Sequence, residues 1–157
     1  MPHHLRAMTA AAIGLALYAS ASLAGAQSVL FTEDFHSGLG QFTSYGAAGS
    51  GGGAAFVNGC VYGCFPGALV SEPINTQGFT NLKLSYDRTA AGLDLGEYAV
   101  SAFSVNGGAW TALERIANGS GRVTIPLPGA AANKASVRLR FRINATVPTE
   151  YLWLDNV

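Results

Sequence analysis

The chain has 157 residues, with nine Lys and Arg against nine Asp and Glu, a formal net charge of zero at pH 7 and 11% charged residues in all. That balance supplies no electrostatic reason to expect nucleic acid or an anionic membrane as a partner.

In chain order, the first feature is a leader. One basic side chain, Arg6, precedes a run of small and apolar residues from Ala7 to Leu23, and Ala24 and Ala26 then supply an A-x-A site. The pattern predicts a signal peptide over residues 1–26, cleaved after Ala26, rather than a membrane anchor, because the run is rich in Ala and Ser rather than Leu. The protein is therefore expected to be secreted, whether extracellular, surface-held or periplasmic. Residues 27–157 then form one domain of about 130 residues, enough for a single core. No later apolar stretch approaches the ~20 residues needed to span a bilayer.

The glycine-rich stretch Gly46–Gly53 reads as a long loop inside the domain. Cys60 and Cys64, in "NGCVYGC", are the only cysteines. In an oxidising compartment they are expected to form a disulfide that shapes a hairpin tip. The lone histidine after the leader, His36, leaves a zinc set incomplete.

Period-two alternation then dominates. In "NLKLSYDR", Leu82, Leu84 and Tyr86 oppose Lys83, Ser85 and Asp87. In "KASVRLRFRIN", Val137, Leu139, Phe141 and Ile143 oppose Ser136, Arg138, Arg140 and Arg142. In "YLWLDNV", Tyr151, Trp153 and Asp155 oppose Leu152, Leu154 and Asn156. Each is the signature of a half-buried strand. Asn106-Gly107, between "YAVSAFSV" and "AWTALERI", predicts a type I′ hairpin turn. One helical turn is expected within Pro128–Lys134. About ten short strands separated by turn signals predict an all-β antiparallel sandwich of jelly-roll type.

No G-x-S-x-G elbow accompanies His36, and no spacing selects a catalytic pair among Glu72, Asp87, Asp94, Glu97, Glu114 and Glu150, so no enzymatic function is expected. Two polar-aromatic features point to binding. Arg138, Arg140 and Arg142 share one strand face and could recognise carboxylates or sulfates bidentately, unless Asp87, Glu97 or Glu150 on adjacent strands neutralise them. Trp110, Tyr62 and Phe65 lie near loops, where a sugar ring could stack on them. Trp153, Tyr86, Phe141 and Phe31 read as core.

The order "FTEDFHSGLGQFTS", "ALVSEPINTQGFTNLKLSYD", "FSVNGGAWTAL", "VRLRFRIN", "YLWLDNV" resembles the bacterial secreted jelly-roll domains related to MAM adhesion domains and galactose-binding-like carbohydrate modules, from about Leu30 to Val157. The resemblance implies a non-catalytic binding or adhesion module for a glycan or other cell-surface component, with a structural or adhesive surface protein that binds proteins or itself as the alternative; a small secreted hydrolase is the third reading and has no motif behind it. It implies that the first and last strands lie side by side. It also implies a structural calcium held by Glu33 or Asp34 together with Asp155. An end so soon after that last strand predicts fraying at Asn156 and Val157 and a truncated chain.

Overall fold

The computed structural model describes residues 28–60 and 65–157. The leader expected over residues 1–26 lies outside them, as do Tyr62 and Cys64.

Ten strands form two antiparallel five-stranded sheets. The first sheet contains β1 (Phe42–Tyr45), β4 (Ala68–Ser71), β9 (Val137–Asn144), β6 (Tyr98–Val105) and β7 (Thr111–Ile116), in that spatial order. The second contains β2 (Ala48–Gly51), β3 (Ala54–Asn58), β10 (Tyr151–Asp155), β5 (Lys83–Ala91) and β8 (Gly119–Pro126). Chain neighbours repeatedly fall in different sheets, so the two layers close over one core, as the expected jelly-roll sandwich requires.

The alternating runs decide which residues fill that core. Val137, Leu139, Phe141 and Ile143 of β9 are buried, while Arg138 and Arg142 are exposed and Arg140 half-buried. Opposite them, β5 contributes Leu84, Tyr86 and Ala90, and β10 contributes Leu152 and Leu154. The ring of Tyr86 meets Phe141 edge-on at 5.0 Å, and Phe42 packs against Phe31, Phe35 and Phe141, which ties the two layers together.

Local chemistry places the turns. Asn106 and Gly107 have φ of 50° and 74°, as a type I′ turn needs, and they join β6 to β7. A short 3-10 turn occupies Gly129–Ala131, inside the window expected for it.

Three expectations are corrected. The glycine-rich segment is not one loop: Ala48–Gly51 forms β2, paired with β3, because small residues meet no steric bar to lying along a strand edge. Trp153 is not core but 39% exposed. Since alternate residues of β10 must face opposite ways, burying Leu152 and Leu154 sends Tyr151 and Trp153 to the outer face. The final residues are not loose ends either. Glu33 and Val157 exchange both backbone hydrogen bonds, at 2.8 and 2.9 Å, and Val157 is buried. The start and end of the described domain are therefore side by side, as expected, although no strand is assigned before Phe42.

Candidate functional site

The outer face of the first sheet collects the guanidinium groups. Arg138, Arg140 and Arg142 project from β9 at every second residue, spanning about 13 Å along the strand. Across β6, Val100 is flanked by Arg142 on one side and Arg115 of β7 on the other. In the adjacent row Ala102 lies between Arg140 and Ala112. Small side chains thus make a floor between arginine side chains, and the result is a shallow depression of about 340 Å³.

Two aromatic rings complete this face. Arg140 lies over the ring of Trp110, 4.4 Å from its centroid, and Arg115 lies over Tyr98 at 3.7 Å. Such stacking holds a guanidinium flat against the sheet and leaves its edge available to an oxygen ligand. The Arg140 Nε is buried without a hydrogen-bond partner among the described residues. Burial, and then the neighbouring positive charge of Arg142, pull the Arg140 guanidinium below its ordinary range.

The carboxylates expected to neutralise this stripe are elsewhere. Asp87 pairs with Arg122 at 3.1 Å on the second sheet, and Glu97 and Glu150 lie in loops. Among the described residues the remaining ion pairs are His36–Asp34 and Arg88–Glu114, so Arg115, Arg138, Arg140 and Arg142 have no carboxylate partner. On the β6 side the reason is geometric: the neighbouring outward positions of that strand are Val100, Ala102 and Ser104, and Glu114 of β7 turns inward. There it accepts hydrogen bonds from Arg88 and from the Tyr86 hydroxyl. Arg115 and Tyr98 are members of the face that sequence reasoning missed. A bulge at Ser101/Ala102 breaks the period along β7 and hides which of its residues point outward.

The other aromatic candidates are not gathered here. Phe65 is 81% exposed in the loop before β4, toward the opposite end of the sheet from the hairpin that carries Trp110. Tyr62 lies outside the described residues. Cys60 is buried, and no cysteine is free among the described residues. A second aromatic patch, unforeseen, covers the outer face of the second sheet, where Trp153 meets Phe56 at 6.1 Å and Tyr151 at 6.2 Å.

The acidic residues divide into two places. Glu33, Asp34 and Asp155 do not converge into one cluster. The Glu33 carboxylate accepts hydrogen bonds from the amides of Phe35 and Gln41, and Asp34 and Asp155 accept from His36 and Asn156 close by in the chain. By contrast, carboxylate oxygens of Asp94, Glu97 and Glu150 lie within 4.8 Å of one another. Burial pushes the Glu150 carboxyl above the usual carboxylate range, whereas a hydrogen bond with Glu150 and another from the Asp94 backbone hold Glu97 below it.

No family model matches the chain, and no curated protein matches it. Among solved structures it is similar to the K3 cleaved adhesin domain of Lys-gingipain from Porphyromonas gingivalis. That comparison has a TM-score of 0.56 and 16% sequence identity, and covers 81% of this chain and 96% of that one. At this identity the likeness is one of fold.

Proposed function

We propose that the protein is a secreted, non-catalytic adhesion module that binds anionic glycans through the outer face of the first sheet. The observation that carries the reading is the set of four arginines, Arg115, Arg138, Arg140 and Arg142, on one face with no carboxylate partner among the described residues. Guanidinium groups fit carboxylate and sulfate oxygens in paired hydrogen bonds. The rings of Trp110 and Tyr98 brace two of them, and the floor of small residues gives an extended chain room to lie across the strands. A fold shared with an adhesin domain is consistent with an adhesive role. A Cys60–Cys64 bridge belongs to the same proposal, since it suits a secreted domain, and titration of the exported protein for reactive thiols tests it.

A glycan array that includes sulfated and uronic-acid polymers tests the ligand class. Binding to acidic glycans that weakens with salt and is lost in Arg138→Gln/Arg142→Gln supports the reading. Equal binding of neutral and acidic glycans, or none at all, refutes it.

A second reading has its own observation. The patch of Trp153, Tyr151 and Phe56 is aromatic and partly exposed, with Trp153 at 39%. Such surface suits a protein partner or a second copy of the chain. Sedimentation over a concentration series tests it, and self-association abolished by Trp153→Ser supports it.

A further inference from the structure

The loops at one end of the sandwich carry three carboxylates, and Arg115, which reaches this corner, donates to the Gly96 carbonyl at 3.4 Å rather than to any of them. Asp94 and Glu97 lie in the β5–β6 connection, and Glu150 lies just before β10. None of the ion pairs among the described residues includes any of the three.

Glu150 is the unusual member. It is only 1% exposed. Its Oε2 accepts hydrogen bonds from the amides of Thr146 and Val147, at 2.7 and 2.6 Å. Its Oε1 is buried and meets no donor among the described residues, so the link between this carboxyl and Glu97 has to be made by a shared proton or by a cation. A buried carboxylate oxygen with nothing to satisfy it is costly, and such groups in native proteins ordinarily meet a charge, a donor or an ion.

The surrounding backbone holds the cluster in place. Glu97 Oε1 accepts from the amide and the hydroxyl of Thr146, at 3.0 and 2.8 Å, and Glu97 Oε2 accepts from the amide of Asp94 at 3.0 Å. The two loops are in close contact: a Cβ on Gly92 would lie 2.9 Å from the Thr149 carbonyl oxygen. The amide of Gly59 donates to the Glu150 carbonyl at 2.7 Å, so the strand leading to Cys60 is tied to the same corner.

We infer that Asp94, Glu97 and Glu150 form a structural calcium site, in which the ion takes the unpartnered Glu150 oxygen and joins the β5–β6 loop to the β9–β10 loop. Three carboxylates contributing oxygen alone, from two loops, match a hard divalent cation that accepts irregular coordination by six to eight oxygens. Magnesium fits less well, because it requires near-ideal octahedral geometry at shorter distances. The site lies in a different part of the chain from Glu33, Asp34 and Asp155, and it does not depend on the arginine face proposed above.

Titrating calcium into EGTA-treated protein by calorimetry, alongside thermal melts, tests the site. The expected result is one equivalent bound with a Kd of about 10⁻⁴ to 10⁻³ M, in the range of extracellular modules. At about 10 mM calcium the melting temperature should rise by several degrees, with little response to magnesium. Asp94→Asn, at an exposed position that leaves the core intact, should weaken binding at least tenfold, and Glu97→Gln should do the same. Retention of the calcium response in both variants, with its loss in Glu33→Gln, would overturn the assignment by moving the ion to the paired termini. A wild-type protein that ignores calcium, together with a Glu150→Gln variant that melts higher in EGTA, would also overturn it, since a proton would then occupy the place given to the ion.

Discussion

The guanidinium of Arg140 lies 4.4 Å above the ring centroid of Trp110, so the central arginine of the β9 stripe and the aromatic residue after the β6–β7 hairpin are one unit. Each stiffens the other. The ring covers one face of the guanidinium and restricts a long side chain that would otherwise lose rotamer freedom on binding. The neighbours Arg138 and Arg142 are exposed and carry no such brace in the contacts described.

That pairing predicts a graded response in anion binding. Trp110→Ala should weaken binding to a sulfated polymer such as heparin by about three- to tenfold by freeing Arg140, with the fold retained. Arg138→Gln/Arg142→Gln should lower affinity further and flatten the salt dependence, because fewer charge contacts are made. Affinity chromatography on heparin with a salt gradient reads both effects. Earlier elution for the double arginine variant than for Trp110→Ala is the expected order.

Inside the sandwich, Tyr86 predicts a dependence on alkaline pH. Its hydroxyl donates to Glu114 and lies 3.1 Å from Ser101 Oγ, and burial, aided by Glu114, pushes its ionisation above the ordinary tyrosine range. The unfolded chain ionises near pH ~10, so above that pH the folded state binds more protons than the unfolded one. The contribution of Tyr86 is thus intact below about pH 10 and lost progressively above it. Tyr86→Phe should cost about 1–3 kcal/mol at pH 7 by leaving Glu114 with one donor fewer, and should make stability between pH 9 and pH 11 fall less steeply. Urea unfolding across that range gives the comparison.

Gly40 predicts a local failure. It sits at φ of 52°, and a Cβ there would lie 1.8 Å from a carboxylate oxygen of Glu33. Gly40→Ala should therefore displace the carboxylate that accepts the amides of Phe35 and Gln41, and cost about 1–3 kcal/mol from the backbone strain alone. Glu33→Ala/Gly40→Ala should destabilise by less than the sum of the single changes, since removing the carboxylate removes the clash. Urea midpoints of the four proteins measure that coupling.

What could be foreseen follows from the range over which each signal acts. The alternation of β9 and the Asn106-Gly107 turn are set by neighbouring residues, and both elements formed as read. The arginine face was half legible: β9 supplied three of its members, but Arg115 and Tyr98 reach it through cross-strand register, and a bulge obscures the period of β7. The cluster of Asp94, Glu97 and Glu150 joins loops distant in the chain, so no local spacing marks it. Trp153 was misplaced because alternation separates two faces without naming the inner one, and residue size favoured the aromatic face. The flat gap between the sheets instead took the aliphatic pair, Leu152 and Leu154.

The orientation of β10 yields a direct test of which face is the inner one. Leu152, on the strand between β3 and β5, is fully buried on the inner face of the sheet, whereas Trp153, one residue later, is 39% exposed and touches Phe56 and Tyr151 on the outer surface. Leu152→Ala should cost about 2–5 kcal/mol, because it leaves a cavity between packed sheets. Trp153→Ala should cost about 1 kcal/mol or less, as only partial aromatic contact is lost. Urea unfolding of the two variants separates these values. Acrylamide quenching gives a second measurement: in Trp110→Phe, Trp153 is the sole remaining tryptophan and should be readily quenched in the folded protein. A quenching constant as low as that of a buried indole would reverse the orientation assigned to β10 and place Trp153 back between the sheets.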